Sequence, residues 1–315
     1  MRERIADGVR QGLLPALGAR AVASSGPIPA HDEAYQLYLR SLALPQQPTP
    51  TDRAIELLER AVTLEPTFAP AWHALGIRYY DYGTWWGGGE SARQRSLAAH
   101  RKAFELDPEL VSAARNIVLH RVEAGDLEGA YRDARRLLEQ FGPSADTHFT
   151  LSYVYRYGGL FEDSQRHCEL ALDRDPQDPR LRSCGYAYLY AGKLSRVMDF
   201  LRLDEGAYFV HWGMVLYYLR LNDRNAALHV TRQAADEPTR QLMQPCLEGA
   251  DRTGLVARIV LDALGELDLA HLGALEEQLA LLVQSHAHQT LDSLPAMGGA
   301  GQAALAGATV VLIGL

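Results

Sequence analysis

The sequence predicts an all-α protein built as a solenoid of about six helix pairs, and two independent rulers carry that prediction. The first is a set of glycines, Gly83, Gly125, Gly159 and Gly192, spaced by 42, 34 and 33 residues. The second is a set of small or apolar positions, Ala61, Ala103, Leu137 and Ala171, at intervals of 42, 34 and 34. Each member of the second set is followed five residues later by a breaker: Pro66, Pro108, Gly142 ahead of Pro143, and Pro176. A period of about 34 residues is the length of one helix–turn–helix unit, which can bury its apolar face only against its neighbours.

The units follow in order. The first is Tyr35-Gln36-Leu37-Tyr38-Leu39-Arg40-Ser41, then Ala54, Leu58, Ala61 and Pro66, with a turn longer than usual. The second carries Trp72, Leu75, Gly76 and Tyr79 on its first helix (helix A), a turn at Gly83, and Ala103 and Pro108 on its second (helix B). Gly76 lets helix B approach closely, Ala103 is a small contact for the next pair, and Pro108 stops the helix. The third has Ala114, Ile117, Gly125, Ala130, Ala134 and Leu137; the fourth has Leu151, Tyr155, Gly159, Phe161 and Ala171. The fifth has Leu181, Cys184, Gly185, Tyr188 and Gly192, with a short second helix before Asp204-Glu205-Gly206. The sixth has Met214, Tyr218, Asn222, Ala227 and Ala234, and ends at Pro238. The Trp72–Leu75–Gly76–Tyr79–Gly83–Ala103–Pro108 pattern resembles the tetratricopeptide repeat (TPR) consensus, and the agreement runs over about 200 residues. The resemblance implies six antiparallel helix pairs over residues 31–238 in a right-handed superhelix, with Trp72, Tyr79, Tyr155 and Tyr188 in the packing between helices.

Both ends depart from the repeat. Residues 1–30 are expected to be an amphipathic helix and linker, with Ile5, Val9, Leu13 and Leu14 opposite Arg2, Arg4 and Arg10. Glu3, Asp7 and Pro15 interrupt the apolar core that a secretory leader would need, although Ala21-Val22-Ala23 resembles a cleavage site. Residues 239–290 read as further helices closing the stack, with Leu269, Leu272, Leu275, Leu279 and Leu282 at helical spacing. Residues 291–315 form a Gly/Ala-rich apolar tail, uncharged from Ser293 onward. The tail has the length of a membrane span, but its five glycines favour a loosely packed terminus over an anchor.

Composition narrows the function classes. The formal charge is −8 and the isoelectric point near 5.8, without the basic stripe that a nucleic-acid interface needs. The three cysteines, Cys168, Cys184 and Cys246, have no framework spacing and read as reduced thiols in a cytoplasmic protein. No phosphate loop, nucleophile elbow, Cys-x-x-Cys or zinc-type His-Glu pair is present, so no catalytic residue, cofactor or metal site is expected. His286 and His288 lack a third ligand at suitable spacing, and Gly299-Ala300-Gly301 follows no strand.

In TPR proteins, helix A lines a concave groove and supplies the ligand contacts. The resemblance carries that role to His73, Ile77 and Tyr80 in the second repeat and to Arg115 and Leu119 in the third. It implies Phe149, Tyr153, Arg156 and Tyr157 in the fourth, Arg182, Tyr186 and Tyr190 in the fifth, and Trp212 and Arg220 in the sixth. Aromatic rings interleaved with arginines are typical of interface hot spots, and an arginine can fork onto a carboxylate. The tyrosines have a second reading as plain packing between adjacent A helices, their hydroxyls at the surface. Arg115, Arg156 and Arg182 are expected to reach solvent in the groove. The Lys and Asn residues with which chaperone-binding TPR domains clamp a C-terminal carboxylate are missing at these positions, which counts against that ligand class. Eight extra residues between Gly83 and Ser96 place Trp85 and Trp86 on a Gly-rich loop. There they either fold back on the neighbouring repeat or meet a partner.

The phrase Glu33-Ala34-Tyr35-Gln36-Leu37-Tyr38-Leu39-Arg40, preceded by a helix such as Ile5 to Leu17, resembles the entry into the TPR region of bacterial multidomain signalling proteins. The kinase, adenylate cyclase or winged-helix output domain of such proteins is not in this sequence. The expected function is a non-enzymatic adaptor binding a peptide segment of a partner protein, with no nucleic acid and no membrane. The alternative is the regulatory or sensor module of a signalling system.

Overall fold

The computed structural model describes residues 31–205, 207 and 210–233. The expected N-terminal helix, the helices of 239–290, the tail and Cys246 lie outside the described residues. The chain divides into two compact units, Met1–Ile117 and Val118–Leu315.

Among the described residues every regular element is helical. The first unit holds α1 (Asp32–Leu42), α2 (Pro48–Leu64), α3 (Ala69–Trp85), α4 (Gly89–Leu106) and the start of α5 (Val111–Glu123). Antiparallel pairing follows from the short turns: α1 packs on α2, α2 on α3 and α3 on α4. Leu37, Tyr38, Leu58, Val62, Phe68, Leu75 and Tyr79 form one buried cluster, with Trp72 packed at its edge. Fully burying each such side chain contributes about 1.5–3 kcal/mol. The long first turn has a physical support in Arg78. Arg78 of α3 is buried and donates to the carbonyls of Pro45, Ser41 and Leu44 and to the Thr51 hydroxyl, so four acceptors satisfy one buried cation.

Within the second pair, helix B approaches helix A at Gly76. The Ser96 hydroxyl donates to the Gly76 carbonyl at 2.7 Å, and a Cβ on Gly76 would lie 2.5 Å from the His100 ring. The eight extra residues are not a long loop, contrary to expectation. Gly83 is helical, α3 continues through it to Trp85, and α4 starts at Gly89, leaving three residues between them. The insertion lengthens both helices instead. Gly125, Gly159 and Gly192 do occupy left-handed turns (φ 84°, 74° and 73°), and Asn222 takes the same role in the sixth repeat (φ 56°). Gly and Asn tolerate that conformation where a β-branched residue would not.

The second unit continues from α5 with α6 (Leu127–Phe141), α7 (Ala145–Tyr157) and α8 (Phe161–Arg174). Asp126 caps α6 by accepting from the Gly129 amide, and Ser144 with Thr147 forms a capping box on α7. The fifth repeat departs from regular helix. Pro179–Cys184 is a 3-10 helix capped by Asp178, α9 is only Gly185–Tyr190, and Leu194–Arg196, α10 (Val197–Leu201) and Arg202–Asp204 complete it. The sixth pair, α11 (Val210–Arg220) and α12 (Arg224–Gln233), is regular again. Six helix pairs are therefore present among the described residues, the fifth in broken form.

One contact recurs across repeats. The Tyr79 hydroxyl donates to Glu59 on the preceding helix B, and Arg95 pairs with the same carboxylate while lying over the Tyr79 ring at 4.1 Å. In the second unit Tyr188, Glu169 and Arg196 repeat this clasp. Of the tyrosines expected in the packing, Tyr79 and Tyr188 are buried rings whose hydroxyls stitch neighbouring repeats together, while Tyr155 is half-buried against Tyr131 and His167.

The cysteines require a correction. Cys168 on α8 and Cys184 at the end of the 3-10 segment form a disulfide, with their Cα atoms 5.8 Å apart. That span is ordinary for a bridge. The reading of all three cysteines as reduced thiols fails for this pair, and the cytoplasmic placement loses the support it drew from them.

Candidate partner-binding site

The expected groove residues of the two units are best taken separately. In the first unit, His73 is buried against His100, their Nδ1 atoms 3.2 Å apart, and burial pushes its pKa down to about 3. Arg115 is only 4% exposed, and its guanidinium lies 3.4 Å from the Asn116 side-chain oxygen. Arg115 therefore does not reach solvent as expected, and His73 is buried as well. Tyr80 is half-buried, Trp85 is exposed and Trp86 is half-buried.

The second unit brings its expected residues together. Phe149, Tyr153 and Tyr157 are spaced by four along α7 and form one stripe, with ring centroids 6.1 and 4.9 Å apart. Tyr186 and Tyr190 do the same on α9, 6.0 Å apart, and Tyr190 also meets Phe161. Arg156 lies among these rings. Its guanidinium carbon is 4.6 Å from the Tyr153 centroid, 5.2 Å from Tyr157 and 5.7 Å from Tyr186. Cation–π contacts of this kind contribute about 0.5–2 kcal/mol each.

Its hydrogen bonds fix its direction. Nη1 donates to the Ser183 carbonyl and to the Ser183 hydroxyl at 2.9 Å. Tyr153 donates to Glu123 at 2.8 Å, and its hydroxyl also lies 3.2 Å from that of Tyr157. The carboxylate at the cluster thus serves a tyrosine. Among the described residues, no carboxylate pairs with Arg156. Burial raises the pKa values of Tyr157, Tyr186 and Tyr190, keeping their hydroxyls neutral and leaving them as donors.

Arg182 behaves differently. It forms an ion pair with Asp204 at 3.0 Å, so its charge is already matched. Trp212 is half-buried on α11. Phe149, Tyr153 and Tyr157 were carried by the resemblance to helix A of the repeat family. Ser183 and Glu123 were missed, because nothing in their local sequence marks an acceptor for a residue about 30 positions away.

Among the described residues, no group of three or more His, Cys, Asp or Glu side chains could hold a metal ion. In the same span, no helix is long and apolar enough to cross a membrane.

No family model matches the chain, and no curated protein matches it. Solved structures of similar fold include PilW, described as a widely conserved type IV pilus biogenesis factor. It shares 14% identity, covers 68% of this chain and 100% of its own, and has a TM-score of 0.44. A tetratricopeptide repeat protein from Parabacteroides merdae shares 14% identity over 79% of this chain and 100% of its own, with a TM-score of 0.44. The human IFIT1 dimer shares 12% over 88% and 77%, with a TM-score of 0.46. Similarity at this level is a likeness of fold and nothing more. The assignment of a TPR-type helical array rests on the helix pairs and their recurring contacts.

Proposed function

We propose that this protein is a non-enzymatic adaptor whose second unit binds an acidic peptide segment of a partner protein over the Arg156–tyrosine cluster. The observation that carries the reading is Arg156, a half-buried cation ringed by neutral aromatic hydroxyls and lacking a carboxylate partner among the described residues. A partly desolvated charge without a counter-ion is costly, and a partner's carboxylate would supply one. The rigid rings add contact area at low entropic cost. The test is affinity capture with wild-type protein, Arg156→Gln, and a Tyr157→Ala/Tyr186→Ala variant. The same partners should be lost from both variants, while circular dichroism reports an unchanged helix content. Partners retained by both variants would end this reading. A second reading, a regulatory module with its output elsewhere, is favoured by the Glu33–Arg40 phrase. It predicts retained protein partners together with a melting temperature that responds to small metabolites.

A further inference from the structure

We propose that the Cys168–Cys184 disulfide is a redox latch on the Arg156 cluster, closed in this structure and opened by a dithiol reductant. The proposal rests on the reading of that cluster as the partner site. Its basis is position. Ser183, whose carbonyl and hydroxyl hold Arg156, is the chain neighbour of Cys184. The disulfide ties Cys184 to α8, and both cysteines are buried. A crevice too narrow for a water molecule is lined by Phe149, Tyr153, Arg156, Ser183 and the two cysteines.

The segment being held is weak by itself. Pro179–Cys184 is a 3-10 turn, a geometry with poorer hydrogen bonds than the α-helix and seldom sustained for long. Beyond it, α9 has its own tie to α8, since the Gln165 amide donates to the Ala187 carbonyl at 3.1 Å. Opening the disulfide therefore loosens residues 179–184 and the Ser183 acceptors rather than the whole repeat. Arg156 then loses its fixed direction, and the cluster its preorganised shape.

The chemistry is thiol–disulfide exchange. A thiolate of the dithiol reaches one cysteine sulfur when residues 179–184 open locally, and attacks it, breaking the S–S bond and forming a mixed disulfide. The second thiolate of the reductant displaces the bound sulfur, leaving the reductant as a cyclic disulfide. The protein gains two electrons and two protons, as two thiols. Closure is the reverse, with oxidised glutathione as the oxidant and two glutathione thiols as its product.

The experiment uses the full chain carrying Cys246→Ser, so that a thiol titration after denaturation counts only the pair. One sample is oxidised with oxidised glutathione and another reduced with dithiothreitol. Amide hydrogen exchange is measured over 179–184 and over α7, together with fluorescence anisotropy of a fluorescein-labelled hexaglutamate peptide. Reduction should speed exchange over 179–184 by about tenfold or more while leaving α7 unchanged, as expected of local opening. It should also weaken the peptide by about tenfold. Cys184→Ser should match the reduced sample and ignore dithiothreitol. If that variant fails to fold, the reduced wild-type pair decides alone. Two thiols remaining after treatment with oxidised glutathione, or equal exchange in both states, would overturn the latch. Exchange that responds to reduction while the peptide binds neither state supports the latch and removes the acidic-segment reading instead.

Discussion

The buried histidines bind the fold to a pH range. His73 faces His100 and His148 faces His167, with Nδ1 atoms 3.2 and 3.1 Å apart, so in each pair one Nδ1 donates and the other accepts. Burial lowers the pKa of His73 to about 3 and of His167 to about 4, the latter with Coulombic contributions from His148 and Arg166, and lowers that of His148. An unfolded chain titrates near 6.5. These histidines are neutral in both states above that value and cost nothing there. Between about 6.5 and the folded pKa the unfolded chain binds more protons, so stability falls as pH falls. Urea unfolding at pH 7 and pH 5 should show a loss of up to about 2 kcal/mol for each of His73 and His167, reduced in a His73→Gln/His167→Gln variant. Equal stability at both pH values would mean that the pairs are solvated or already charged. The imidazole pairs were not legible in the sequence. Each joins helix A to helix B, and the partners lie 27 and 19 residues apart with no shared spacing.

At the scale of the element, helix A and helix B of the second repeat can approach only because Gly76 has no side chain. A Cβ there would fall within 2.8 Å of three atoms of the His100 ring, so the ring or the helix must move. Gly76→Ala should therefore cost about 1–3 kcal/mol, although alanine is the better helix former. Combined with His100→Ala, its cost should be less than the sum of the two single changes, because without the imidazole the added methyl has no ring to clash with. Additive costs in urea unfolding would place the strain elsewhere. This contact was readable in advance, since a glycine at that point of the repeat pattern has one physical use. The fate of Gly83 was not readable. It matched the turn period, yet the eight following residues extended two helices past it. The fifth repeat shows the same limit. Tyr188, Gly185 and Gly192 fit the pattern, but nothing local announced that Pro179–Cys184 would tighten into a 3-10 turn tied to α8 by a disulfide.

For the whole molecule, the period alone was enough to predict the architecture, because a repeat array builds its core from nearest-neighbour contacts and the same residues recur at the same places. The clasp of Tyr79, Glu59 and Arg95, repeated by Tyr188, Glu169 and Arg196, is that recurrence at atomic scale. Function was less legible. The helix A positions gave a long set of candidates, and only side-chain geometry separates those facing inward, such as His73 and Arg115, from the Arg156 cluster. The proposed function requires that this cluster meets the partner. Site-specific photocrosslinking tests it most directly, with benzoylphenylalanine in place of half-buried Tyr157 and, as a control, in place of exposed Arg166 on α8. A captured partner should crosslink from position 157 and not from position 166. Crosslinks from 166 alone would contradict this and move the binding surface to the other helix of the pair.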